Sequence, residues 1–267
     1  MSIEVETYFE RIGFQGSREP TLSTLSDILE KHMSRIPFEN LDVLLGRGVR
    51  LDAQSLQKKL VSEKRGGYCF EHSSLLASVL EQLGFSVVRR AARVVLFSPP
   101  AQAPRAHMFL TVSLPEGTFV VDPGFGGFGS RAPVPLEDGT VRGGERTHWM
   151  AREGNYTVLK LRRGGDVIDG WVTDLEEDNH PIDFEVGNYY TAMHPESVFR
   201  QIVMMSIVTP DGRVSVMNRD VTFHNGSQIT PKQLEDRKAF RKLLVEHYGF
   251  DLPEFDTLRI PAIPEWD

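Results

Sequence analysis

Cys69 is the only cysteine in the chain, and it stands in Arg65-Gly66-Gly67-Tyr68-Cys69-Phe70-Glu71. The paired glycines permit a tight turn. An amphipathic run carrying Leu75, Leu76, Val79, Leu80 and Leu83 follows at once. That order puts Cys69 at a helix N-terminus, where unpaired N–H groups and the helix dipole favour an anion, so a thiolate there is a competent nucleophile. A lone cysteine is equally at home as a small buried hydrophobe, so the reading depends on partners. A thiol nucleophile requires a base, and the base requires an orienting group.

His107 opens the apolar stretch Met108 to Leu114, and Asp122 closes Thr118 to Val121, with Pro115-Glu116-Gly117 as the turn between them. Folding that hairpin brings an imidazole and a carboxylate to one open end. With Leu114 opposite Thr118, Asp122 opposes Leu110 and faces away from His107, so a bulge or a strand end must correct the facing if the two are partners. His72, three residues after Cys69, competes as base because i, i+3 neighbours on a helix meet. A reactive Cys69 points out of the helix end, however, and His72 lies along its side. Gly124 to Gly129 contains four glycines that let backbone approach a ligand closely. It lacks both the Gly-Lys-Ser/Thr of a phosphate loop and the strand-to-helix setting of a dinucleotide site.

The elements that must hold these groups follow from periodicity. Val5, Tyr8, Phe9 and Ile12, then Leu22, Leu25, Ile28, Leu29, Met33 and Ile36, recur at helical spacing, stopped by Gly13 and Pro37. A third helix is predicted from Asp52 through Val61, and the cysteine helix ends at Gly84. From Ser86 the pattern turns to strands, with hairpin signals at Pro115-Glu116-Gly117, Gly164-Gly165-Asp166 and Thr209-Pro210-Asp211-Gly212. Ser98 to Pro104 and the segment around Arg142-Gly143-Gly144 read as loops. Thr230-Pro231-Lys232-Gln233 reads as the start of a closing helix, with an N-cap Thr and Pro at the first helical position.

Composition narrows the function. A formal charge of −7 over 267 residues argues against broad nucleic-acid binding. The doublets Lys58-Lys59 and Arg89-Arg90 read as solvated faces. No run approaches the length of a membrane span, and the acidic start lacks a signal peptide's basic and apolar regions, so the expected location is the cytoplasm. One cysteine permits no internal disulfide and no cysteine-rich metal site.

Taken together, the chain resembles the arylamine N-acetyltransferase family, of bacterial type. The likeness begins at Ile36-Pro37-Phe38-Glu39-Asn40-Leu41. It is most specific at Arg65 to Glu71, and continues through His107, Asp122-Pro123-Gly124-Phe125-Gly126, Ser197-Val198-Phe199 and the stretch from Asn218-Arg219 to Tyr248-Gly249. Two positions depart from the family pattern. Pro123 stands where Val is usual, and His72-Ser73 where Leu-Asn is frequent. Pro123 removes one backbone donor beside Asp122.

The resemblance implies an α+β fold with a papain-like cysteine core: an N-terminal helical bundle carrying the nucleophile (1–85), a central antiparallel β-barrel (86–190) and a C-terminal α/β lid (191–267). It implies ping-pong transfer of acetyl from acetyl-CoA to arylamines, arylhydroxylamines or hydrazines through an acetyl-cysteine, an activity of xenobiotic metabolism. Cys69, His107 and Asp122 would form the catalytic triad. The expected partners are acetyl-CoA and a small aromatic amine or hydrazine, with no permanently bound cofactor, no metal, no nucleic acid and no membrane. A papain-like cysteine hydrolase or amidase with the same triad is the alternative, and a non-enzymatic binding module on the same scaffold is a more distant one. Phe38, Val95, Phe125 and Phe199 are the expected acceptor-pocket residues, Gly124, Gly126 and Gly127 the expected backbone donors to CoA, and Arg65 and Glu39 an expected ion pair bracing the glycine turn.

Overall fold

The computed structural model describes residues 2–137, 139–143, 146–163 and 165–266, with 139–143 and 146–147 described by their backbone. Helices α1 (Val5–Ile12) and α2 (Leu22–Arg35) lead into the short strand β1 (Phe38–Glu39) and the turns α3 (Leu41–Leu44) and α4 (Ala53–Leu56). Asp52 caps α4 by accepting from the Ser55 N–H at 3.0 Å. The chain then runs on as a π-helical turn over Gln57–Ser62, and α5 (Cys69–Gln82) completes the helical region.

Eight strands follow: β2 (Ser86–Val94), β3 (His107–Leu114), β4 (Gly117–Val121), β5 (Val134–Pro135), β6 (Gly139–Gly143), β7 (Arg146–Glu153), β8 (Tyr156–Arg163) and β9 (Asp166–Thr173). They form one antiparallel sheet in the order β5-β4-β3-β2-β9-β8-β7-β6. Its end strands β5 and β6 approach each other, so the sheet is a nearly closed barrel. Helix α6 (Pro181–Met193) leaves the barrel, and β10 (Met204–Thr209), β11 (Gly212–Met217), β12 (Asp220–Asn225), β13 (Gln228–Gln233) and α7 (Arg237–Leu243) complete the chain. The bundle, barrel and α/β lid expected from the resemblance are the architecture the chain adopts, with α5 packed on β2 and β3.

The second sheet is ordered β1-β10-β11-β12-β13, so its first strand comes from the N-terminal region. Phe38 pairs with Ser206 and Glu39 with Met205, and Phe38 also bridges Gly67 just ahead of the cysteine. One short segment therefore ties the lid to the nucleophile's turn.

Two local expectations are corrected. Thr230-Pro231-Lys232-Gln233 belongs to strand β13, and the closing helix starts at Arg237, capped by Asp236, which accepts from the Ala239 N–H at 2.7 Å. β13 is the sheet's edge, where proline's missing N–H costs no ladder bond. Arg142 and Gly143 lie in β6, paired to Thr147 and Arg146, rather than in a loop, and Gly144 lies outside the described residues. The hairpin at 164–166 is present as the β8–β9 connection, with Gly164 itself outside the described residues. Helix α6 had no counterpart in the periodicity, although Pro181 at its first position and Asp183, which accepts from the His180 N–H at 2.8 Å, are ordinary start signals. Among the described residues no helix is long and apolar enough to cross a membrane.

Candidate active site

Cys69 is the first residue of α5, follows the extended Tyr68, and is 3 % exposed. Its Sγ lies 3.9 Å from the Ala106 carbonyl, immediately before His107. The loop after Asp122 rests directly on this residue. A Cβ at Gly124 would sit 2.3 Å from the Cys69 Cα, so only glycine permits that approach. Gly126 needs glycine for a different reason, a φ of +54° as the chain enters a single 3₁₀ turn at Gly126–Phe128.

The hairpin register resolves the facing problem posed by the sequence. Leu114 pairs with Gly117, not with Thr118, through a two-residue Pro115-Glu116 turn that Gly117 closes at φ +135°. Every partner shifts by one residue, and Asp122 then continues opposite Phe109, on the same face as His107. No bulge is needed. His107 Nε2 lies 2.8 Å from Asp122 Oδ2, and Cys69 is close enough for its sulfur to act on the same ring. With Nε2 turned to the carboxylate, the Nδ1 edge is the one left for the sulfur. Burial pulls the His107 imidazole down, but the charge and hydrogen bond of Asp122, with those of Cys69, outweigh it and raise it to about 10.

Sequence reasoning missed Trp171. Its Nε1–H donates to Asp122 Oδ2 at 2.9 Å, and its ring stacks on Phe109 at 4.3 Å. The available signal is generic: a buried indole needs an acceptor, but which acceptor depends on the pairing of β9 with β2. Pro123 lies beyond the β3–β4 ladder, which ends at Val121, so its missing N–H removes none of the paired bonds of that hairpin.

His72 is turned away from the sulfur. Its Nε2 meets the Pro37 carbonyl at 3.1 Å and its Nδ1 meets His32 Nε2 at 2.7 Å, while His32 Nδ1 meets the Tyr8 hydroxyl at 2.8 Å. A carbonyl can only accept, so the whole chain is fixed. Tyr8 O–H donates to His32, His32 Nε2–H to His72, and His72 Nε2–H to Pro37. Burial, partly offset by the Pro37 carbonyl, holds His72 down at about 4, and burial likewise holds His32 well below its ordinary value.

Arg65 and Glu39 form the expected pair. Arg65 Nη2 lies 2.7 Å from Glu39 Oε1 and 3.2 Å from Asp42 Oδ1, with both Arg65 and Glu39 buried. Glu39 Oε2 accepts from the Leu41 N–H at 2.7 Å. The glycine turn is packed beneath this pair, since a Cβ at Gly66 would meet the Pro37 carbonyl and the Glu39 side chain. Asn40 extends the motif to the lid, donating to the Phe199 and Ile202 carbonyls and accepting from the Met204 N–H, each at 2.8 Å.

Three of the four expected pocket residues gather around Cys69 and His107. Phe125 packs on His107 at 5.2 Å, in space left by Gly170, whose Cβ would stand 2.9 Å from the Phe125 ring. Phe38 packs edge-on to Phe199 at 6.2 Å, and Phe199 lies 5.5 Å from Tyr68. Val95 is the exception and is corrected. Strand alternation puts Val94, opposite Trp171, on the site face. Val95 instead lines a separate groove of about 370 Å³ on the outside of the barrel with Tyr156, Val158 and Val172. The expected CoA loop is clamped from the lid: Arg213 donates to the Gly126 carbonyl and, at 2.9 Å, to the Gly129 carbonyl. Gly127 belongs to the same turn, facing Ser215. Among the described residues no cluster of His, Cys, Asp and Glu could hold a metal ion.

The profile of the N-acetyltransferase family matches residues 21–257. A relative from Mycobacterium tuberculosis (strain ATCC 25618 / H37Rv) named arylamine N-acetyltransferase is 37 % identical, the match covering 95 % of this chain and 92 % of that protein. A relative from Salmonella typhimurium named arylamine N-acetyltransferase / N-hydroxyarylamine O-acetyltransferase is 32 % identical over 93 % of this chain and 89 % of its own length. Among solved structures, Mycobacterium marinum arylamine N-acetyltransferase in complex with CoA is similar at a TM-score of 0.91 and 32 % identity, covering 98 % of this chain and 99 % of that one.

Proposed function

The chain belongs to the arylamine N-acetyltransferase family, and from that premise we propose that Cys69 carries an acetyl group from acetyl-CoA to the nitrogen of an arylamine, an arylhydroxylamine or a hydrazine. The observation that carries this reading is His107, hydrogen-bonded to Asp122 and close enough to Cys69, at the N-terminus of α5, for the sulfur to act on its ring. The charge of Asp122 favours imidazolium, so the proton of the thiol resides on His107 and the sulfur is an anion. The thiolate attacks the thioester carbonyl carbon, and the first-turn N–H groups of α5, which have no intrahelical partner, receive the developing oxyanion. Collapse breaks the bond to the CoA sulfur, which leaves with the proton from His107. The amine then attacks acetyl-Cys69, His107 accepts the amine's proton, and the thiolate leaves. Asp122 stays ionised throughout and holds the ring in the useful tautomer.

Phe38, Phe125 and Phe199 form the apolar wall for the acceptor in this reading, and the backbone of Gly124, Gly126 and Gly127 flanks the CoA thioester. The name of the Salmonella relative supports N-hydroxyarylamines among the acceptors, and the CoA complex of the M. marinum enzyme supports the acyl donor. A cytoplasmic location belongs to the same reading, since acetyl-CoA and a reduced lone thiol coexist there. Recovery of the protein in a secreted fraction would contradict that part.

Intact-protein mass after mixing with acetyl-CoA provides the test. One acetyl group should appear on the wild type, be absent from Cys69→Ala, and be discharged by an arylamine but far more slowly by water. Discharge by water at the same rate would make the protein a hydrolase. The Phe125→Ala variant should acetylate Cys69 normally yet turn over bulky arylamines poorly. An equal fall in both half-reactions would mark Phe125 as a packing residue.

A further inference from the structure

Lys58 and Lys59 look alike in the sequence but part company in the structure. The side chain of Lys58 is 74 % exposed, while that of Lys59 is 15 % exposed and turned inward. Both lie in the widened π-helical turn at Gln57–Ser62, an irregularity often found at functional sites, and successive helical positions point in different directions. Lys59 Nζ lies 2.8 Å from Glu71 Oε1 and 2.9 Å from Asp42 Oδ2, and the Lys59 carbonyl accepts from the Arg65 N–H at 3.0 Å. The other oxygen of Glu71 accepts from the Tyr68 N–H at 3.1 Å. A Cβ at Gly67 would stand 2.5 Å from that same carboxylate. The segment from Arg65 to Glu71 is therefore held at one end by the backbone of Lys59 and at the other by its ammonium.

We propose that Lys59 is a positioning residue for the nucleophile, acting through Glu71 to fix the turn that presents Cys69 to His107 and to balance the buried negative charge beneath it. The charged groups around Lys59 are Glu71 from α5, Asp42 from α3, Glu39 from β1 and Arg65 from the loop leading into α5, with His72 held neutral beside them. Arg47 also reaches Asp42, at 3.4 Å, and is shared with Glu254. These are four carboxylates against three cations, so one negative charge is already in excess beside the site where a thiolate must form. Burial raises the Glu71 carboxyl, and Lys59 opposes that rise. Without Lys59 the excess doubles, and an anion at Cys69 is disfavoured.

The inference rests on Cys69 being the acyl carrier, so the test uses a second reaction that does not. Cys69 is the sole thiol in the chain, and its alkylation by iodoacetamide reports thiolate directly. In Lys59→Met, alkylation and acetylation near neutral pH should both slow by about tenfold, with the acid limb of each pH profile moved upward. Lys59→Arg should restore most of the rate. Glu71→Gln keeps an acceptor for the Tyr68 N–H and removes one negative charge, so its acid limb should move downward. Glu71→Gln carries the test alone if Lys59→Met fails to fold. Limbs that stay at the wild-type position, or that move in the same direction in both variants, overturn the proposal even if melting temperatures fall. Loss of acetylation in the wild type with alkylation behaving as stated would instead refute the acyl-carrier reading and leave the role of Lys59 standing.

Discussion

Two histidine clusters flank the first turn of α5, and both are buried, yet they are pushed in opposite directions. His72 is 1 % exposed and held near 4, while His107 is 3 % exposed and raised to about 10. The partners decide. His72 and His32 hydrogen-bond only to neutral groups, each other, a hydroxyl and a carbonyl, so burial outweighs what opposes it and the neutral ring wins. His107 faces a carboxylate and a sulfur, whose charges repay its desolvation. The back of the helix is a fixed relay of neutral hydrogen bonds, and the front pairs an imidazole with a carboxylate beside the sulfur.

Asp122→Asn should break the comparison most severely. Asparagine keeps the size and one acceptor but removes the charge, so His107 should titrate toward the range of His72. Single-turnover release of CoA should slow on the order of ten-thousandfold, the scale seen when a triad carboxylate loses its charge. NMR titration of the His107 ring protons should move with it. A loss no larger than about tenfold would show that the hairpin, rather than the carboxylate charge, organises His107.

The neutral cluster makes its own prediction, opposite in sign. As pH falls through about 6.5 the unfolded chain binds a proton on each histidine, whereas folded His72 does not until about 4. Its contribution to stability is therefore complete above 6.5 and lost as pH falls, about 2 kcal/mol of it by pH 5. His32 acts in the same direction. His107 works the other way: its raised value stabilises the fold below the unfolded value and is lost as pH rises toward 10. Urea unfolding at pH 7.5 and 5 should show the acid loss in the wild type and a smaller one in His72→Gln, which can still donate to the Pro37 carbonyl. Identical acid losses would clear His72 as the sensor.

Much of the front cluster was legible in the sequence because its signals are local. The glycine turn and helix start mark Cys69, the hairpin joins His107 to Asp122, and the family resemblance is what brings the three together. What failed depended on phase or pairing. A one-residue change in turn length moved Asp122 onto the face of His107, and strand alternation exchanged Val95 for Val94. The apparent helix start at Thr230-Pro231 is a sheet edge, which only the partner strand reveals. Lys59 was hidden because it lies in an irregular helical turn, and the His32–His72 contact because it joins residues forty positions apart.

The smallest expected effect separates the two things that hold Asp122, its strand and Trp171. Asp122 Oδ2 accepts from both His107 and Trp171, so the indole fixes the same oxygen that fixes the base. Trp171→Phe would retain the aromatic surface stacked on Phe109 and remove only the donor and part of the ring. The carboxylate would keep its charge, so the His107 titration should stay raised, unlike that of Asp122→Asn. Its orientation would be freer, and acetylation should slow by about threefold to tenfold, the scale of one ordinary net hydrogen bond, because the strand and His107 still hold the carboxylate. The KM for acetyl-CoA should change little, because the indole touches the carboxylate and not the donor's site. The acid loss of stability should match the wild type, since the His32–His72 relay is untouched. Acetylation at the wild-type rate would mean that strand register alone positions Asp122, with the indole hydrogen bond serving only to satisfy a buried donor and contributing none of its ordinary net strength to orientation.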